Sequence, residues 1–187
     1  MFARCASILG WTLRVASALA LGAAPSLAAA QESASAPSRS EIVEPITLSN
    51  TRDLDFGRII APRNGRVDMP ATDTPVCIAN NTLVLLDGCQ SAAFTGNGAV
   101  GAQIRVRVPP RRRIVLTGPG RNLRLRRMAV GAGNGLTLVN RRFRNFDFAI
   151  SDPSGDFEFF VGGRLLIRNN QAPGIYTGTF AIDVDYQ

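Results

Sequence analysis

An antiparallel, all-β sandwich is the fold class that this 187-residue chain predicts, and three observations carry it. Its 18 glycines and 11 prolines punctuate the sequence at short intervals, as turns between short strands require. No stretch after residue 30 sustains an apolar period of 3.6, the repeat of an amphipathic helix. Several runs instead alternate apolar and polar residues with period two, which gives a strand one dry and one wet face. Roughly eight or nine such strands at the spacing of a sandwich can be counted, enough for one core and one domain.

Residues 1–30 read as a secretory signal. Arg4 and Arg14 give a basic start, Val15 to Ala24 an apolar run, and Ala28, Ala29 and Ala30 a small-residue cleavage site. The run is too short for a transmembrane anchor, and Cys5 lies ahead of it, outside a lipoprotein setting. The mature chain is expected to start near Gln31. Residues 31–41, QESASAPSRSE, have the small, polar composition of a flexible extension. The domain itself is assigned to residues 42–187.

Within that domain Ile46 and Leu48 begin the first strand, and Asp53 to Ile59 follows. Asn64-Gly65 has the composition of a tight hairpin turn. Val76-Cys77-Ile78 and Ala92-Ala93-Phe94 read as core strands; in the segment joining them Val84-Leu85-Leu86 reads as buried beneath a Cys77–Cys89 disulfide, with an exposed contact patch as the alternative. Gln103 to Val108 alternates cleanly, with Ile104, Val106 and Val108 inward and Arg105 and Arg107 outward. Pro109-Pro110 ends it, because neither proline can donate to a ladder. Arg111 to Thr117, Leu123 to Met128 and Leu136 to Val139 are the next candidates. Arg141 to Ile150 reads as one further strand, carrying Phe143, Phe146, Phe148 and Ile150. Asp152-Pro153-Ser154-Gly155 is a β-turn sequence. After Phe157, Phe159 and Val161, the pair Gly162-Gly163 marks a bulge, a bend or a close backbone approach. The chain then closes on a terminal strand read from Tyr176 onward: Tyr176, Gly178, Phe180, Ile182, Val184 and Tyr186 point one way, and the intervening polar residues the other.

Composition excludes much chemistry. The chain has no histidine, so a Ser-His-Asp triad, a Cys-His pair and an imidazole base are all absent. No cofactor motif is present, and the expectation is that the protein is not an enzyme. Asp53 with Asp55, and Asp183 with Asp185, share strand faces but lack the further ligands a metal site needs, so no metal is assigned. Past the signal only Cys77 and Cys89 remain, and an oxidising compartment predicts a disulfide between them.

Charge is uneven. Between Gly88 and Phe146 lie twelve arginines and no acidic residue. Arg105, Arg107 and Arg124 are therefore candidates for holding an anionic partner, although a solvated or internally paired face is the preferred reading. Nucleic acid is not expected as a partner, because aromatic side chains are not interleaved with the arginines.

Three motifs carry a family resemblance: TRDLDFGRI at 51–59, VGGRLLI at 161–167 and APGIYTGTFAIDVDYQ at 172–187, with Tyr186 penultimate and Gly174 fourteenth from the end. Over about residues 45–187 the chain resembles an uncharacterised bacterial family of exported β-sandwich domains related to spore coat protein U and to subunits of chaperone-usher pili. The resemblance implies an Ig-like, pilin-like sandwich in the periplasm or at the cell surface, a structural or adhesin-like role, and a periplasmic chaperone and possible neighbouring subunits as partners. It also implies that Tyr176, Phe180, Ile182, Val184 and Tyr186 border a groove filled by a strand from another chain. The matching positions of the chain's own extension, Ala34, Ala36, Ser38, Ser40, Ile42, Glu44 and Ile46, make a weak plug for such a groove. A monomeric secreted domain holding an anionic envelope polymer on its arginines is the alternative.

Overall fold

The structure, a computed structural model, describes residues 35–40, 42–80, 82–110 and 114–187. The expected signal lies outside the described residues. The chain divides into two units, Met1–Ser40 and Glu41–Gln187. Residues 35–40 of the first are exposed and without regular structure. No described helix is long and apolar enough to cross a membrane.

The second unit is an Ig-like antiparallel β-sandwich. Its described strands are β1 (Thr47–Arg52), β2 (Ile59–Ile60), β3 (Gly65–Met69), β4 (Ile78–Ala79), β5 (Val84–Leu85), β6 (Ala92–Asn97) and β7 (Gln103–Arg107). They continue as β8 (Val115–Leu116), β9 (Leu123–Ala132), β10 (Leu136–Arg142), β11 (Asn145–Ile150), β12 (Asp156–Ile167) and β13 (Asp183–Tyr186). The larger sheet runs β1-β6-β12-β3-β4, with β9 also on β12 and β8 on β9. The smaller sheet is β10-β11-β7-β13, and β2 pairs with β5 alone.

Strand β12 organises the larger sheet. Along one side β9 follows it from Phe159 to Leu166, while the other side changes partner, from β6 up to Val161 to β3 from Gly163. The paired glycines sit at that handover. A Cβ on Gly162 would lie 2.5 Å from the Met69 carbonyl oxygen, so only glycine lets the incoming backbone pass.

Two clusters make the core. One lies between the sheets, around Ile104, Val106, Phe146, Phe148, Phe157 and Phe159. The other fills the lower end, around Val67, Leu123, Leu125, Leu165 and Ile167. Leu54, Met128 and Phe180 pack against both.

Cys77 and Cys89 are disulfide-bonded, with Cα atoms 6.1 Å apart, against the lower cluster. Replacing both by alanine should lower unfolding free energy by about 3 kcal/mol, the loop-entropy value for a crosslink of this span. Urea unfolding checks this; an unchanged midpoint would show that the crosslink constrains little.

Five sequence readings are corrected. Val76-Cys77-Ile78 is not a core strand: Val76 and Ile78 are 77% and 66% exposed, and only Ile78 of the three lies on a strand, the edge strand β4. Val84 and Leu86 are not buried: they are 49% and 54% exposed, while Leu83 and Leu85 between and beside them turn inward. Asn64-Gly65 joins no hairpin, because β2 pairs with β5 and β3 with β12 and β4. The stretch 141–150 is two strands, with a turn at Phe143-Arg144. The terminal strand is regular only over Asp183–Tyr186; Tyr176 lies outside it, and Thr177 makes one isolated bridge to Thr117. The cause is a change of sheet: the chain leaves the β8 edge of the larger sheet at Thr177 and joins β7 of the smaller sheet at Asp183.

Candidate functional site: the open edge beside the terminal strand

Strand β13 pairs with β7 in the register Asp183 with Arg107, Val184 with Val106, Asp185 with Arg105 and Tyr186 with Ile104. The Gln187 amide donates to the Gln103 carbonyl at 3.0 Å. Backbone groups alternate in direction along an antiparallel strand, so Asp183, Asp185 and Gln187 bond towards β7. Val184 and Tyr186 therefore turn their N–H and C=O groups the other way. On that side no strand pairs with β13 among the described residues. Residues 178–182, between the Thr177 bridge and β13, join no described ladder on either side.

The side chains complete the picture. Val184 and Tyr186 point inward with Phe180 and Ile182, and all four are only half-buried against the main core. The other half-buried hydrophobics on that core are Ile46, Leu48, Leu54, Phe94 and Met128. Ile46 leads into β1 and Leu48 lies on it. Among the described residues that strand pairs with β6 alone and is the edge of the opposite sheet. Incompletely covered core is thus concentrated along the two sheet edges, β1 and β13.

Tyr186 holds those edges together at one end. Its hydroxyl accepts a hydrogen bond from the Ala99 amide at 2.7 Å and donates to the Glu44 carbonyl, just ahead of β1, at 2.9 Å. Tyr186→Phe should cost about 1 kcal/mol by leaving both backbone groups without this partner. Thermal unfolding checks it, and a melting temperature equal to wild type would assign the hydroxyl no structural role.

Tyr176, expected as a neighbour of these residues, lies elsewhere. Its hydroxyl accepts from the Gly120 amide at 3.1 Å and donates to the Ala172 carbonyl at 2.8 Å, with its ring on the lower cluster. Phe180, Ile182, Val184 and Tyr186 lie together along the β13 edge of the main core; Tyr176 anchors the segment that leads to them. Gly178 lets that segment lie against β8, since a Cβ there would sit 2.4 Å from the Val115 carbonyl oxygen.

The outward face of β13 is ionic. Arg107 pairs with Asp185 at 3.1 Å. Arg105 Nε and Nη2 reach the Asp147 oxygens at 2.7 and 3.3 Å, and its Nη2 also reaches Gln187 Oε1 at 2.5 Å. The Arg105 hydrogen bond holds the Asp147 carboxyl below the usual carboxylate range, against the opposing effect of burial. Two of the three candidate anion-binding arginines are therefore engaged within the fold. Arg124 is exposed and lies on β9 in the other sheet. Among the described residues no three Cys, Asp or Glu side chains converge as a metal site.

The chain aligns with the crystal structure of the E. coli Hda pilus minor tip subunit, HdaB, at 20% identity over 76% of this chain and 79% of that one, with a TM-score of 0.34. No curated protein matches it in sequence. The model of one family, described as Domain of unknown function (DUF4402), covers residues 46–186, from the residue that leads into β1 to the last residue of β13. The chain belongs to that family.

Proposed function

We propose that the protein is an exported, pilin-like structural subunit whose sandwich is completed by a strand from another chain, laid along the free edge of β13. The observation that carries this reading is the coincidence of two features: among the described residues the outward backbone groups of Val184 and Tyr186 have no partner strand, and the half-buried Phe180, Ile182, Val184 and Tyr186 line that same edge. Main-chain hydrogen bonds supply affinity in such strand addition, and alternate side chains entering the core supply register. During export the strand is that of a periplasmic chaperone; in the assembled state it is a neighbouring subunit's.

The chain's own extension is poorly suited to the second role. Ala36, Ser38 and Ser40 are small, Glu44 is tied to Tyr186, and Ile46 is packed on its own core. The strand that fills the groove is accordingly assigned to a different protein, and the subunit to a place where it accepts without donating. The test is expression in the periplasm with and without a chaperone of the pilus type. A soluble one-to-one complex, with little soluble protein when the chaperone is omitted, is the expected result. A stable monomer that ignores the chaperone would overturn the proposal, and fibres of the subunit alone would overturn its acceptor-only placement.

A further inference from the structure

The outer face of the larger sheet carries a cluster of arginines assembled from three strands. Val67, Leu125 and Leu165 point into the core, so their chain neighbours point out. The register then sets Asp68 beside Arg164 and Arg164 beside Arg126 in one row, and Arg66, Leu166 and Arg124 in the next. Strands lie about 4.8 Å apart and alternate residues about 7 Å apart along each strand, so the four guanidinium groups share one compact patch. Asp68 is the only acid at these positions. It is taken up by Arg164 Nε and by Arg66 Nε, the latter at 3.2 Å. Burial alone would raise the Asp68 carboxyl, but hydrogen bonds and charge from these two arginines outweigh it and leave it below its ordinary range. Arg124 and Arg126, both exposed, form no ion pair among the described residues.

A backbone irregularity enlarges the patch. The pairing of β12 with β9 shifts between Gly162 and Arg164, so that Arg127 and Met128 on β9 stand opposite the single residue Gly163, a bulge of one residue. Arg127 has φ of 50°, a left-handed conformation that favours glycine in such bulges. The shift resets the inward-outward alternation: Arg126 and Arg127 are both exposed, and Met128 turns to the core. An arginine held at a position suited to glycine is a local conflict of the kind that concentrates at functional sites.

We infer that this patch, centred on Arg124, Arg126 and Arg127 with Arg66 and Arg164 beside it, binds an anionic polysaccharide. Guanidinium groups offer paired donors that match carboxylate, sulfate and phosphate oxygens. The face is an open sheet surface on which Leu166 lies between the arginines, with Ile78 beside Asp68 and Val115 beside Arg124 at its margins and no aromatic side chain in these rows, which suits a hydrated linear polymer. A protein partner would be expected to find an apolar centre with aromatic anchors, and a single-stranded nucleic acid aromatic platforms. This surface is separate from the β13 edge, so the two proposals stand or fall independently.

The test uses the folded full chain and fluorescein-labelled polygalacturonate of defined length, followed by fluorescence anisotropy. Binding is expected to weaken steeply as salt rises. The triple variant R124A/R126A/R127A should bind at least tenfold more weakly, while R141A/R142A, on the edge strand β10, should bind as wild type. Arg127→Gly should melt at or above the wild-type temperature and still lose affinity, which separates a binding role from a structural one. Undetectable binding at low salt, an equal loss in R141A/R142A, or full affinity in Arg127→Gly would each overturn the inference. So would tighter binding of an oligonucleotide of matched charge, or low-salt dimers that dissociate in the triple variant, which would assign the patch to nucleic acid or to a second copy.

Discussion

Truncation after Gly174 is expected to leave no soluble folded protein. It removes Tyr176 and Phe180 from the lower cluster, and Phe180, Ile182, Val184 and Tyr186 from the main one. Full burial of a large apolar side chain contributes roughly 1.5 to 3 kcal/mol, so five half-buried ones contribute on the order of 5 kcal/mol together. That equals much of the net stability of a typical domain, about 5 to 15 kcal/mol. The loss also uncovers β7, whose Ile104 and Val106 are fully buried in the intact protein, as a new apolar edge prone to pairing with other chains. The soluble fraction after expression, and circular dichroism of whatever is recovered, read the outcome. A truncated chain that melts cooperatively would show that the terminal segment is dispensable.

Phe159→Ala is expected to cost about 3 to 5 kcal/mol, the range for emptying a buried phenylalanine site. The ring is fully buried and stacks on Phe94 at a centroid distance of 5.2 Å. Its strand is flanked there by β6 on one side and β9 on the other, so the surrounding backbone has little freedom to collapse into the void. Leu138→Ala, at a residue 48% exposed on an edge strand, should cost under about 1 kcal/mol. Urea unfolding of both variants gives the comparison. Similar midpoints would mean that the inter-sheet core does not carry the stability.

Residues whose outcome depends on local pattern were legible from sequence. Ile104, Val106, Phe146, Phe148, Phe157 and Phe159 alternate cleanly, and all are buried. Alternation reports burial, however, and not pairing. Phe180 and Ile182 keep the inward phase of a strand while joining no ladder, so the terminal strand was read as longer than it is. The run Val84-Leu85-Leu86 gave no phase at all; the pairing of Ile60 with Val84 sets them on one face, and their exposure of 50% and 49% marks that face as outward. Asn64-Gly65 misled because a hairpin needs two strands that pair with each other, a non-local condition.

The arginines show the same limit more sharply. Their excess between Gly88 and Phe146 was visible, but the acids that engage Arg105 and Arg107 are Asp147 and Asp185, both outside that stretch. Arg66 and Arg164, which adjoin Arg124 and Arg126, also lie outside it. Only the register of β3, β12 and β9 brings them to one face. The open edge of β13 was likewise unreadable, since period two describes a flanked strand as well as an edge.

Amide hydrogen exchange read residue by residue along β13, in the small soluble fraction recovered without chaperone, tests that open edge most directly. Asp185 and Gln187, whose amides face β7, should exchange slowly, and Val184 and Tyr186, whose amides face outward, quickly; a strand peptide with alternating apolar residues should then slow the second pair. Uniformly slow exchange of all four amides without any added strand would contradict it, because the groove would already be filled.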